Sequence, residues 1–296
     1  MKRTVLLLTT LFLLCGAALA QARPQIEGLA DADLALLTGA GMDGDSLHFD
    51  LVFGISVTGD PALAMGIDLA GPGAIGMDAA GLPLMTMDLE GSSSAVAWHE
   101  ERPGFLELRL VDNVLYEFIN KDEDLGWLQI SLEKVLADAG LPVHLGEVAG
   151  ARALDFLAWL KFLGLDGFSS GARSDVDGMA TFRIDVDLDA WLESPSFRAL
   201  MTLAADVTQD VFWTHVGNAP GLLLRHQRLS IETVIELDSG LMRRLALDLE
   251  LGVNPLVLGG DRDETSEINL TLAFENMRYG GDVEVSVPAD AVLADA

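Results

Sequence analysis

The chain has 296 residues, 46 of them Asp or Glu against 18 Lys or Arg, for a formal net charge of −28. Half of its residues are hydrophobic and its mean hydropathy is +0.33, which excludes an intrinsically disordered chain, because disorder needs high charge together with little apolar content. The charge balance also excludes a nucleic-acid binder, which would cluster Lys and Arg to neutralise phosphates. The length provides for one large or two small domains.

Met1-Lys2-Arg3 is a basic start, Val5 to Leu14 is an apolar run broken only by Thr9 and Thr10, and Ala18-Leu19-Ala20 supplies an A-x-A cleavage site. The run is too short for a bilayer core of ~30 Å, and the pattern is that of a secretory signal. The single cysteine, Cys15, lies inside it. A lipoprotein would carry a small residue just before that cysteine, where Leu13 and Leu14 stand, so cleavage after Ala20 is expected instead. It removes two of the 18 basic residues and leaves a mature chain at −30 without cysteine. No second stretch is long enough to span a membrane. The expected organisation is residues 1–20 as signal peptide, 21–44 as a partly helical segment, and 45–296 as a single domain, secreted or periplasmic.

In chain order, Asp31 to Leu37 is expected as a short helix ended by Gly39 and Gly41. Leu47, Phe49, Leu51, Phe53, Ile55 and Val57 then alternate with Ser46, His48, Asp50, Val52, Gly54 and Ser56, the period of a strand with one buried face. The turn Thr58-Gly59-Asp60-Pro61 leads to a return strand. Matching apolar residues puts Val57 opposite Leu63, Ile55 opposite Met65, Phe53 opposite Ile67 and Leu51 opposite Leu69, with Gly54 opposite Gly66. Further strands are expected over Leu82 to Ala97, Phe105 to Val111 and Val114 to Phe118, the last two around Asp112-Asn113.

The middle of the chain changes period. Leu125 to Ala139 and Glu147 to Leu163 read as helices ended by Gly140 and Gly164, and Pro195 to Val207 as a third. Between the second and third, Phe182, Ile184, Val186 and Leu188 form a strand. Leu229 to Leu237 and Leu241 to Leu249 form a hairpin whose loop, Asp238-Ser239-Gly240, places glycine where positive φ is usual. Its register sets Arg228 against Glu250. Ile268 to Phe274 alternates again, and Val283, Val285 and Val287 close the chain. Contiguous hairpins with internal helices make this an α+β chain: a large curved antiparallel sheet of about ten strands with helices gathered over one apolar face.

Several segments resemble a known family. Gly59-Asp60-Pro61-Ala62-Leu63-Ala64-Met65, Leu110-Val111-Asp112-Asn113-Val114-Leu115-Tyr116 and Gly126-Trp127-Leu128 are similar to the front half of the LppX/LprG-type exported lipid carriers, which belong with the LolA-like half-barrels. Thr181 to Leu188 resembles the strand after that family's helical insert, and Arg278-Tyr279-Gly280-Gly281 with Val285 to Asp290 its closing strand. The resemblance implies a half-barrel whose concave apolar face is covered by helices, acyl chains held between the two, and no catalytic residue. The family's tethering cysteine at the mature start is missing here, which implies a free carrier or one held by a partner.

Chemistry-bearing residues give little else. His48, His99, His144, His215 and His226 lack a ligand spacing. Ser92-Ser93-Ser94 has no nucleophile elbow around it. Asp185, Asp187 and Asp189 form a solvated acidic face, and Asp175-Val176-Asp177-Gly178 lacks the remainder of a calcium loop. Arg243, alone on an apolar strand face, reads as a side chain reaching out at a strand end, with a lipid headgroup as its other reading. Met65, Met77, Met85 and Met87 fall in two neighbouring strands, where thioethers serve equally as core filler or as an adaptable lining.

About ten strands present one apolar face while three helices are available to cover it, which leaves part of that face for a ligand or partner. The expected function is non-catalytic carriage of a lipid or other long apolar ligand, without cofactor or metal. Lining residues chosen by parity or helix face are Phe49, Leu51, Phe53, Met65, Ile67, Met85, Met87, Phe156, Leu160 and Leu163. The alternative is a sensor or assembly module of the same fold, its cavity closed, binding an envelope protein partner. At −30 the mature chain is expected not to adsorb unaided to anionic vesicles; salt-independent co-flotation would contradict this.

Overall fold

The period-two runs build one sheet. In a computed structural model of the chain the described residues are 25–40, 46–59, 64–95, 102–119, 126–131, 157, 160, 161, 164–208, 212–254 and 265–293. The expected signal peptide and most of the two expected helices, Leu125 to Ala139 and Glu147 to Leu163, with Phe156 and Leu163, lie outside them. The strands are β1 (Ser46–Thr58), β2 (Met65–Met77), β3 (Pro83–Ala95), β4 (Arg102–Val111), β5 (Val114–Ile119), β6 (Leu128–Ser131), β7 (Ser169–Val176), β8 (Met179–Val186), β9 (Leu224–Glu236), β10 (Met242–Val253), β11 (Ser266–Tyr279) and β12 (Val292–Leu293). Their spatial order is β7-β8-β9-β10-β11-β1-β2-β3-β4-β5-β6-β12. Strands β1 to β6 form one meander and β7 to β11 another, and β1 joins the two by pairing antiparallel with β11. Among the described strands only the two-residue β12 pairs parallel, on β6. The order does not return on itself, so the sheet is open.

Glycines give the direction of its curvature. Gly71 and Gly91 share the parity of Leu69 and so point toward the apolar face. A Cβ on Gly71 would lie 2.0 Å from the Asp88 carbonyl oxygen, and one on Gly91 1.8 Å from that of Asp68. Each strand's backbone therefore occupies the space above the other's apolar face, which means that β2 and β3 fold toward that face. Only residues without Cβ permit this approach. Gly73 likewise receives the Phe49 ring, and Gly104 the end of Leu69. The result is an α+β half-barrel, concave on its apolar side.

Helices α1 (Asp31–Gly39), α2 (Leu188–Leu192), α3 (Pro195–Thr208), α4 (Phe212–Asn218) and α5 (Pro220–Leu223) accompany the sheet, and residues 157, 160 and 161 are also helical. Helix α1 contributes Leu34 and Leu37 to the main core, where they meet Phe49, Leu157, Leu160, Phe182 and Ile184. The amide of Ala30 donates to Asp33 at 3.1 Å. Arg173 of edge strand β7 donates to the same carboxylate at 2.8 Å, which ties the helix to the sheet. Helices α2 to α4 hold a smaller core of Leu192, Phe197 and Val216, whose Trp191 and Phe197 rings meet edge-on at 4.8 Å. Ser194 accepts from the Phe197 amide at 3.2 Å, and Pro195 opens α3, where a missing N–H is harmless.

Several expectations change. In the first hairpin Val57 faces Met65, Ile55 faces Ile67, Phe53 faces Leu69 and Leu51 faces Gly71, while Gly54 faces Asp68. The slip is two residues, so parity and face survive although partners do not; the loop is longer than the four-residue turn assumed. Residues 128–131, expected within a helix, are strand β6, whose alternating Leu128 and Ile130 cover the edge of β5. The strand expected to reach Leu188 stops at Val186, because the Asp187 carboxylate accepts from the Ala190 amide at 3.0 Å and caps α2. Strand β7 was not anticipated, its Ser169–Val176 stretch being mostly exposed and without apolar alternation.

The closing segment is no strand either. Ser46 Oγ donates to the Gly281 carbonyl at 2.6 Å, and Val292 donates to that of Trp127 at 2.8 Å. Residues between them therefore cross from β1 to the far edge, and Val287 is exposed. The second hairpin keeps its predicted pairing from Leu229 with Leu249 to Thr233 with Leu245, and Arg228 stands opposite Glu250. A bulge at Arg243 brings Met242 opposite Ile235, and Gly240 has φ of +69°.

Candidate functional site

The apolar face divides into a sealed end and a half-covered floor. At the sealed end Leu47, Phe49, Leu51, Leu245, Phe274 and Met277 are buried, and the Phe49 and Phe274 rings meet edge-on at 5.0 Å. Further along the same strands burial is only partial. One row across β2, β1, β11 and β10 is Ile67, Ile55, Leu270 and Leu249. The next row toward the sealed end is Leu69, Phe53, Leu272 and Leu247. On the far side Val57, Ile268 and Leu251 continue the surface. Of these eleven, only Leu69 and Val57 are fully buried. With strands ~4.8 Å apart and ~3.4 Å per residue, the floor measures roughly 14 by 14 Å.

The expected lining residues distribute unevenly over this face. Phe49, Leu51 and Leu160 are buried in the main core, and Phe53, Ile67 and Met87 pack against it half-buried. Met85 belongs to a second cluster with Leu108, Leu110 and Leu115, and Met87 touches both clusters. Met65 is paired with Val57 and Ala95. Met87 is paired with Gly73, eight residues along β2, so roughly 27 Å of strand separates Met65 from it. The structure thus brings together Phe53 and Ile67 at the floor, keeps Met85 and Met87 together at the second cluster with Met77 beside them opposite Pro83, and sets Met65 apart.

Inward-facing residues missed from the sequence are mostly those of β10 and β11. Leu247, Leu249, Leu251, Ile268, Leu270 and Leu272 have the same parity signal as β1. Only the β1–β11 pairing, a contact between distant segments, places them beside Phe53 and Ile55.

The apolar face carries a few polar side chains, Ser93 and Thr233 among them with hydroxyls buried without a partner, and among the described residues one buried acid. Glu117 of β5 shares the inward parity of Leu115 and stands opposite Leu108 on β4 and Leu128 on β6. It is 7% exposed. Its Oε1 is buried without a hydrogen-bond partner, and burial pushes its carboxyl above the ordinary range. On β11, where Tyr279 stands opposite Leu47, burial raises its hydroxyl to about 12, against the opposing pull of Arg243. Arg243 donates to Glu236 at 2.5 Å and to the Met277 carbonyl at 3.2 Å. It is engaged at its strand end and does not stand over the floor.

The opposite face is polar. A groove of about 490 Å³ lies across β8 to β11, lined among others by Arg183, Arg228, Glu232, Arg244, Asp248 and Glu250. Arg244 pairs with both Glu232 and Glu275, and Thr271 donates to Asp248 at 3.1 Å. These charges largely satisfy one another. The acidic motifs also have structural partners: Asp175 pairs with Arg173 at 2.7 Å and Asp185 with Arg183 at 3.3 Å. Asp189 accepts from Gln227, and Asp177 and Gly178 form the positive-φ turn between β7 and β8. Among the described residues no three His, Cys, Asp or Glu side chains are grouped to hold a metal. No described helix is long and apolar enough to cross a membrane.

No family model matches the sequence, and no curated protein matches it. Among solved structures the fold is similar to LprF from Mycobacterium bovis, at 12% identity and a TM-score of 0.33, over 86% of this chain and 96% of that one. It is also similar to a DUF1329 family protein from Desulfovibrio piger, at 9% identity and a TM-score of 0.27, over 84% and 94% of the two chains. Likenesses of this size carry no functional weight, and the reading below rests on this chain's own residues.

Proposed function

We propose that this protein is an exported, non-catalytic carrier that holds the apolar chain of a lipid against the concave face of its sheet. The observation that carries the reading is the half-covered floor around Phe53, Ile55, Ile67, Leu249 and Leu270. An apolar surface several strands wide, continuous with a closed core yet itself only partly covered, is what a ligand of variable length and no fixed shape requires. Each buried methylene contributes ~0.8 kcal/mol, so about ten of them supply roughly 8 kcal/mol, the scale of micromolar affinity before ordering costs are subtracted. Capture is burial, and release is exposure of the floor when the elements over it open. No bond is made or broken.

The test is native mass spectrometry of the purified mature protein followed by organic extraction. A stoichiometric alkyl-chain lipid in the extract is the expected result. Protein that emerges empty and leaves an added neutral fluorescent lipid unbound overturns the proposal.

A further inference from the structure

Glu117 is anomalous in the apolar face. A carboxylate placed among Leu108, Leu115 and Leu128 forfeits its hydration, and proteins ordinarily compensate such a group with a cation or with hydrogen bonds. Here Arg109, on the neighbouring strand β4, stands opposite Tyr116 and so lies on the opposite parity. It is occupied there by Asp88 at 2.5 Å and by the carbonyl oxygens of Met87 and Leu108 at 2.9 Å each. Glu107 is on that other face too, 3.6 Å from the same guanidinium. Oε1 of Glu117 is left as a buried acceptor with nothing donating to it.

Its position relates it to the floor. Glu117 lies in one row with Leu108, Met87, Gly73 and Phe49, across β5 to β1. Half-buried Met87 and Leu106 pack against both the main core and the cluster beside Glu117, and so form a continuous apolar path between the two. From β5 to Phe53 is four strand spacings across and four residues along, roughly 23 Å over the sheet and less across its concave side. That distance suits a long alkyl chain with its polar end at Glu117 and its tail on the floor.

We infer that Glu117 is the polar contact of the carrier site and selects ligands whose polar end donates a hydrogen bond and bears no negative charge, alkyl amines and alcohols ahead of fatty acids. The inference rests on the carrier reading. The amine would form a charge-assisted pair with the carboxylate and the hydroxyl a neutral hydrogen bond, whereas a fatty acid would bring a second carboxylate to an acceptor that already lacks a partner.

Displacement of Nile red at neutral pH by octadecylamine, octadecanol and octadecanoate, matched in chain length, tests this. The wild-type protein is expected to bind the amine about tenfold or more tightly than octadecanoate, as a hydrogen bond to a charged group implies, with the alcohol between. Glu117→Gln, nearly isosteric, should reduce the amine-to-octadecanoate ratio to within about threefold. Glu117→Leu should remove the alcohol's advantage while keeping all three chains bound. Attraction of the amine to the acidic surface is common to all variants, so the change in ratio is the readout.

Three bound chains with ratios unmoved by either substitution would refute the role of Glu117 and leave the carrier reading intact. Failure of all three to displace the dye, in protein that also purifies empty, would remove the carrier reading and this inference with it.

Discussion

Replacing Gly91 by alanine adds one methyl group and should cost far more than a methyl group normally does. The new Cβ would sit 1.8 Å from the Asp68 carbonyl oxygen, 2.8 Å from its carbon and 3.0 Å from the Leu69 Cα. Ordinary contact begins near 3.4 Å, and the obstructing atoms are backbone, so no rotamer change relieves the clash. Strands β2 and β3 must separate by over an ångström where they bend toward the apolar face. Overpacking of this kind costs about 1–3 kcal/mol, and each ladder hydrogen bond lost adds about 1 kcal/mol, for about 2–5 kcal/mol in all. At ~2–4 °C per kcal/mol the melting temperature should fall by roughly 4–20 °C. Gly39→Ala is the control: at the end of α1, with nothing within 4 Å of the added atom, it should stabilise by about 0.5–1 kcal/mol. Thermal and urea unfolding followed by circular dichroism measure both. A Gly91→Ala protein that melts with the wild type would mean that β2 and β3 do not approach this closely, and the derived direction of curvature would fall with it.

Glu117→Leu should raise stability at pH 7 by about 1–3 kcal/mol, the usual cost of a buried polar group left unpaired. The sign with pH follows from the raised carboxyl. Wild-type stability from this group is intact below the unfolded value near 4.5 and is lost as pH rises through the folded one, so the variant's advantage should be smallest in urea titrations near pH 4 and grow as pH rises. Leu249→Asp, on the half-buried floor, should sharply reduce lipid recovered from purified protein while leaving the far-ultraviolet spectrum unchanged; undiminished lipid would place the ligand elsewhere. Asp33→Asn should loosen α1, because Arg173 and the Ala30 amide hold that carboxyl below its usual range. This contribution, about 0.5–1.5 kcal/mol, exists above the unfolded value of the carboxyl and is lost as pH falls through the folded one, so wild type and variant should converge in stability at low pH.

The sheet was legible where one parity dominated. Leu47 to Val57 and Leu229 to Leu249 have an apolar residue at almost every inward position, so face and hairpin partner followed directly. Register in the first hairpin was not legible, because Leu63, Met65, Ile67 and Leu69 are interchangeable partners under a two-residue slip. Val114 to Phe118 misleads more deeply. Val114, Tyr116 and Phe118 make the stronger apolar parity, yet Leu115 and Glu117 face inward. Tyr116 is buried on the other face, and Phe118 lies 5.4 Å from Trp127 there. Both sides of this strand are covered, so alternation no longer reports which is inside. The same condition hid the polar contact at Glu117, which by sequence sits on the solvent side. Arg243 was legible as a strand-end side chain, but the bulge that places it there depends on tertiary pairing.

The join between the two meanders explains why the floor lies where it does. Strands β1 and β11 come from opposite ends of the chain, and their pairing sets the apolar rows of the first hairpin beside those of the second. Helix α1 and the helical residues Leu157 and Leu160 seal one end of this composite face through Leu34, Leu37 and Phe49. Among the described side chains of helices α2 to α4, Leu192, Phe197 and Val216 form a separate core, while Leu188 and Trp191 of α2 reach the main one. At Gly217 a Cβ would lie 2.8 Å from that of Met201, so α3 and α4 are packed as closely as glycine permits. A long alkyl chain would supply the missing contact area at Phe53, Ile55 and Leu270, so loading with lipid should raise the melting temperature, and delipidation should lower it, by mass action on the folded state.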